Sequence, residues 1–180
     1  MAVEEHARAW LSLVLARGLG PRKLARLEQL TGSAGRWAEA SDSQLREAGL
    51  GNDLIDALRH PDPEAMSRAI DWLSGDEHHL VTRDDALFPP LLRRIADPPA
   101  ALFVRGNPEC LVRPQIAIVG SRNATPGGLQ HARSFAATLA GEGFVITSGL
   151  AAGIDGAAHE GCIEAGGETI AVTGTGPDQV

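Results

Sequence analysis

The chain of 180 residues contains no tyrosine, a single lysine (Lys23), two cysteines and no apolar run approaching a membrane span. Each scarcity excludes something. A spanning helix needs about 20 predominantly apolar residues. The opening Met1-Ala2-Val3 leads into Glu4-Glu5 rather than into the basic start of a secretory signal. Cys110 and Cys162 lie far apart without metal-ligand spacing, and the six histidines show no zinc pattern, so no metal site is read. Two cysteines used as small apolar residues suit a reducing compartment, and the expectation is a cytoplasmic protein with no membrane partner. With aromatics at 4%, the core has to be packed by Leu, Ala, Val and Ile. The length suffices for a buried core and for one or two domains.

Positive charge also runs short. Net charge is −7, and residues 1–79 carry 9 basic and 13 acidic groups. Residues 80–133 reverse that balance with 7 basic and 4 acidic groups, and residues 134–180 have 6 acidic groups and no Lys or Arg. Global steering of a polyanion is therefore excluded, whereas local anion binding is not. The strong preference for Arg over Lys suits bidentate phosphate contacts, and genome composition accounts for it equally well.

What is present divides into two stretches. The first 75 residues read as short helices joined by tight turns. Leu11, Leu13, Val14 and Leu15 precede Gly18-Leu19-Gly20-Pro21, after which residues 23–30 resume a helical pattern. A second copy runs through Leu45, Ala48 and Leu50 to Gly51-Asn52 and a helix over residues 53–58. Helix–Gly-x-Gly–helix is the shape of a helix-hairpin-helix, whose turn amides hold a DNA phosphate. Gly18, Gly20 and Lys23 are thus candidate secondary DNA contacts, although two short helices need a glycine turn in any case. A last helix over residues 64–74 follows Pro61-Asp62-Pro63, with Gly75 closing it. Residues 79–82 and 101–104 read as strands that join or flank the sheet to come.

From Gln115 the pattern becomes strand, loop, helix, strand, loop, helix, strand, which reads as a doubly wound parallel sheet. The first helix places Leu129, Ala132, Phe135, Ala136 and Leu139 at core spacing, and the second Ile154, Ala157, Ala158, Cys162 and Ile163. Each strand opens directly into a glycine-rich loop: Gly120-Ser121-Arg122, residues 148–153, and Gly174-Thr175-Gly176. In a parallel sheet all three open on one edge, where open α/β sheets bind ligands. Such turns leave backbone amides unpaired before a positive helix end, and Arg122 adds a charged fork for the same anion. The dinucleotide fingerprint G-x-G-x-x-G is absent, because Arg122 stands where its second glycine must admit a pyrophosphate. No cofactor is therefore expected. Asp155 opens the second helix with His159 four residues on, a spacing at which the side chains meet. The pair serves as a helix-terminal carboxylate and its partner, as an orienting group for the loops, or as an acid/base pair. Ser148, Asp155 and His159 also follow hydrolase-triad order, but Ser148 lacks the Gly-x-Ser-x-Gly elbow.

Residues 118–122 (Ile-Val-Gly-Ser-Arg) and the run Ser148-Gly149-Leu150-Ala151-x-Gly153-Ile154-Asp155-x-x-Ala158-His159 resemble the DprA/Smf family of bacterial DNA-processing proteins. Phe88-Pro89-x-Leu91-Leu92, Asp97-Pro98-Pro99, Leu102-Phe103-x-x-Gly106 and the stretch 166–172 match further. The resemblance is close over about residues 80–180 and loose before that. It implies a small all-α domain over 1–77, similar to a sterile-alpha-motif or helix-hairpin-helix module. An extended Rossmann-like α/β domain then follows over 78–180. It also implies single-stranded DNA binding, RecA loading during natural transformation, a homodimer, and no catalysis. Carried onto this sequence, Gly120, Ser121 and Arg122 contact the DNA backbone. Ser148, Gly149, Gly153 and Asp155 shape the adjoining loop, and Gly174 begins the third.

Here Pro177-Asp178 stands where the family has Leu-Asp, and the sequence stops before the family's Tyr-Pro segment and later basic residues. The resemblance therefore implies an incomplete Rossmann domain, with weaker DNA binding than an intact homologue and association through an unpartnered sheet edge. The competing reading is a nucleotide or ribosyl-phosphate hydrolase on a related fold. A helical interaction module attached to a nucleotide-sensing domain is a third.

Overall fold

The computed structural model describes residues 2–174, with side chains from Glu5 onward. Thr175 and Gly176 of the third loop, and the departure at Pro177-Asp178, lie outside the described residues. By compactness the chain divides into residues 1–108 and 109–180.

The first unit is built on five helices: α1 (Ala2–Leu15), α2 (Pro21–Thr31), α3 (Asp42–Glu47), α4 (Asn52–Arg59) and α5 (Pro63–Leu73). Their starts are encoded locally. Pro21 occupies the first turn of α2, Ser41 and Gln44 form a reciprocal capping box on α3, and Asp62 caps α5 ahead of Pro63. Trp10, Leu13, Leu24, Leu27, Trp37, Leu45, Leu54 and Leu58 form one buried cluster, so the helices share a single core. Trp37 is buried without an orphan donor, since its indole N–H donates to the Ala9 carbonyl at 2.9 Å.

Strands β1 (His78–Thr82) and β2 (Ala101–Arg105) belong to this unit. They pair with each other in antiparallel register, His78 opposite Arg105 and Thr82 opposite Ala101. Of the expectation that they join or flank the following sheet, joining is corrected: they form a separate two-stranded sheet. Leu80 and Ala100 pack on the helical core, which supplies the apolar surface that an isolated hairpin lacks.

The second unit is α/β, with a three-stranded parallel sheet in the order β3 (Gln115–Ala117), β4 (Val145–Ser148), β5 (Thr169–Ala171). Helix α6 (Pro126–Gly141) connects β3 to β4, and α7 (Ile154–Glu164) connects β4 to β5. Right-handed crossovers between sequential neighbours put both helices on one face of the sheet. Ala136 of α6, Ala158 and Cys162 of α7 and Ile146 of β4 form the core there. A doubly wound sheet needs helices on both faces, so the described residues hold one half of that pattern. The helices cross closely: a Cβ on Gly161 would lie 2.2 Å from the Arg133 carbonyl oxygen. Two expected core residues are corrected, because Phe135 is 65% exposed and Ile163 63% exposed. Only the small side chains Ala132, Ala136, Ala157 and Ala158 fit under so tight a crossing.

A candidate phosphate-binding edge

Because the strands are parallel, the loops after β3, β4 and β5 share the sheet's carboxyl edge. The first two loops are fastened together. Gly120 donates its amide to Asp155 Oδ1 at 3.2 Å, and Ile154 donates its amide to the Ser121 carbonyl at 3.2 Å. Gly153 has φ 89°, and a Cβ there would lie 2.2 Å from the Ser121 oxygen and 2.7 Å from the Arg122 oxygen. Only glycine lets the second loop approach the first this closely. Leu150, with φ 59°, holds a left-handed conformation in the same loop.

Several site residues read from the sequence serve this assembly from inside. Ser148 is 3% exposed and donates its hydroxyl to the Ile118 carbonyl at 2.6 Å, tying β4 to the end of β3. Asp155 is 7% exposed, its carboxylate under the Gly120 amide and close against Gly149. His159 is buried beneath them. Thr169 Oγ1 donates to the Ile146 carbonyl at 2.7 Å, so it accepts from His159 Nδ1 at 2.7 Å. That network assigns the proton to Nδ1 and leaves Nε2 buried without a partner. Burial of the imidazole lowers its pKa, and the charge of Asp155 opposes that shift.

What faces outward is Gly120, Ser121 and Arg122, all exposed. Among the described residues, the amides of Ser121, Arg122, Leu150, Ala151 and Ala152 donate to no acceptor. Residues 109–174 contain three arginines. Arg113 pairs with Glu168, Arg133 pairs with Glu160 and Glu164, and Arg122 has no ion-pair partner among the described residues. A cleft of about 620 Å3 opens beside it, lined by Arg122, Asn123, Ala152, Gly153, Arg133 and Glu160 among others. Free amides, a helix N-terminus and an unpaired guanidinium form a set of donors suited to an anion with several oxygens. Gly174, exposed after β5, lies on the same edge by strand direction.

Gly18, Gly20 and Lys23 belong to the other compact unit. Gly20 precedes α2 as its N-cap, and Lys23 Nζ donates to the Gly18 carbonyl at 3.0 Å, closing the turn on itself. Among the described residues no group of three His, Cys, Asp or Glu is placed to hold a metal, and no helix is long and apolar enough to cross a membrane. The sequence reading missed Arg133 and Glu160 on the cleft wall. Their signal was a helix-facing cation late in the basic stretch and acidic residues one helical turn apart at 160 and 164.

An open parallel α/β unit with glycine-built loops on its carboxyl edge defines the class: an α/β domain of the kind whose strand ends form the ligand-facing edge. Residues 79–180 match the model of DNA recombination-mediator protein A, and the chain belongs to that family. Protein Smf of Escherichia coli is 42% identical over 113 residues, covering 63% of this chain and 30% of that protein. Protein Smf of Synechocystis is 34% identical over 190 residues, covering 100% of this chain and 46% of its own length. The X-ray structure of DNA processing protein A (DprA) from Streptococcus pneumoniae superposes with a TM-score of 0.73 at 27% identity, over 99% of this chain and 58% of that one. The chain spans between 30% and 48% of the length of the curated relatives it matches.

Proposed function

We propose that this chain binds single-stranded DNA through its sugar-phosphate backbone, at the paired loops 120–124 and 149–153, with Arg122 as the principal charged contact. The observation that carries this reading is the unpaired Arg122 beside unpaired loop amides, on loops held rigid by Asp155 and Gly153. Gly120 and Ser121 present backbone to the phosphates. Ser148, Gly149, Gly153 and Asp155 act by holding the loops rather than by reaching the ligand, and Gly174 extends the edge. Such contacts read no base, so affinity depends on strand flexibility and salt more than on sequence.

In the whole protein this binding serves a recombination mediator that loads RecA on incoming DNA during natural transformation, working as a cytoplasmic homodimer. The domain division proposed for that role puts a helical module at 1–77 and the DNA-binding domain at 78–180, following the family match from residue 79 rather than the compactness boundary after residue 108. The helical turn with Gly18, Gly20 and Lys23 is a secondary DNA contact in this scheme. No catalytic step is assigned, since Ser148 and Asp155 are committed to neighbouring backbone and His159 to Thr169. The test is a salt-resolved titration of single-stranded and duplex DNA against this chain and a full-length homologue. Tighter single-strand binding that weakens steeply with salt, and more strongly in the homologue, is the expected result. Nucleotide hydrolysis that disappears in Asp155→Asn would overturn the reading in favour of an enzyme.

A further inference from the structure

Arg133 lies on the same cleft as Arg122 and is engaged there by carboxylates. It stands on α6 where that helix crosses α7 most closely, its carbonyl oxygen against Gly161. Its guanidinium reaches across to α7, to the Glu160 carboxylate and, at 3.2 Å, to Glu164 Oε1. Arg133 and Glu160 both line the cleft that holds Arg122, whereas Glu164 does not. The backbone beneath Arg133 is thus fixed, while the charged head sits at the rim of the binding cleft.

Three facts bear on what this arrangement does. The Arg133 side chain is 47% exposed and its partners 59% and 60%, so solvent screens the pairs. Exposed pairs of this kind hold together by a factor of only about 1.5 to 5. A planar guanidinium binds a phosphate through two parallel N–H groups as readily as a carboxylate. Arg122 and Arg133 line one cleft, whose wall also carries the small residues Ala152, Gly153, Gly156 and Ala157 beside Asn123 and Leu129, so a strand held at Arg122 lies in the cleft that Arg133 borders.

We infer that Arg133 is a second phosphate contact of the same cleft, and that Glu160 is the stand-in that a DNA phosphate displaces. This rests on the reading of the Arg122 edge as a DNA site and specifies how it is regulated. In the empty protein Glu160 occupies the guanidinium and adds a negative charge to the cleft, so weakly anionic ligands are turned away. A polyanion held at Arg122 exchanges with Glu160 at Arg133, and the freed carboxylate turns to solvent. Glu164 keeps the interhelical pair throughout. The cleft therefore loses the Glu160 counter-charge only as the strand enters.

The test uses this chain, an unstructured single-stranded oligonucleotide and a salt series, with melting temperature measured on every variant. Glu160→Gln removes the carboxylate that competes for Arg133 within the cleft and is expected to raise affinity by about 1.5 to 5-fold, the factor lost with the pair. Glu164→Gln, outside the cleft, is expected to change affinity less. Arg133→Gln is expected to weaken binding and to flatten the slope of log K against log salt by about 0.7, one phosphate contact on a single strand. Unchanged affinity in Glu160→Gln together with an unchanged slope in Arg133→Gln would overturn the inference and leave the Arg122 site standing. Loss of binding in Arg122→Ala alongside that outcome shows the first reading intact. No binding by the unaltered chain at low salt sinks both.

Discussion

At the residue scale the site depends on side chains that do not face the ligand. Asp155 holds the Gly120 amide from below, Ser148 holds the Ile118 carbonyl, and Gly153 leaves room where any side chain would strike the first loop. Gly153→Ala has to bear a positive φ as well as overlap with two carbonyls. It is expected to lower stability by about 1–3 kcal/mol in urea unfolding and to weaken DNA binding together with it. Asp155 and His159 were recognised from the sequence by their spacing, with their roles open. Their surroundings decide between them, and spacing cannot reveal surroundings. His159 gives a pH signature. Its folded pKa lies below the unfolded value of about 6.5, so the unfolded chain binds the proton more readily. Stability is then complete above the unfolded pKa and is lost as pH falls through the folded one. Urea midpoints measured across that range are expected to drop on the acid side. His159→Leu should flatten that limb, and an equally steep limb in the variant would count against this account.

At the scale of elements, α6 and α7 show how much a sequence pattern conveys. The alternation of short apolar strands with helices, and the turn chemistry at Gly120 and Gly153, marked the parallel order and the common edge. That information is local. The distance between two helices is not, and the pattern placed Phe135 and Ile163 inward when the close crossing at Gly161 turns them out. Phe135→Ser is accordingly expected to shift unfolding free energy by no more than about 0.5 kcal/mol, the usual range for an exposed position. Gly161→Ala forces the helices apart and is expected to cost about 1–3 kcal/mol. Equal losses in the two variants would contradict this packing. The hairpin teaches the same lesson. Residues 79–82 and 101–104 were legible as strands, but their partner was settled by register with each other and by the helical core beneath Leu80.

At the scale of the whole molecule, the acidic balance and the DNA-processing family are reconciled by distribution. A net charge of −7 gives no general attraction for DNA. The proposed binding therefore rests on a few cations in one cleft, and each is expected to account for a large share of the salt dependence. The family was legible because its motifs cluster on the backbone turns that the loops require, whereas the unpaired state of Arg122 emerges only once Arg113 and Arg133 are seen engaged with glutamates. That unpaired guanidinium is the centre of the account, and one measurement addresses it directly: single-stranded DNA affinity of the chain and of Arg122→Ala across a salt series. The account predicts weaker binding in the variant, with the slope of log K against log salt shallower by about 0.7. Equal affinity and equal slope in the two proteins would contradict it.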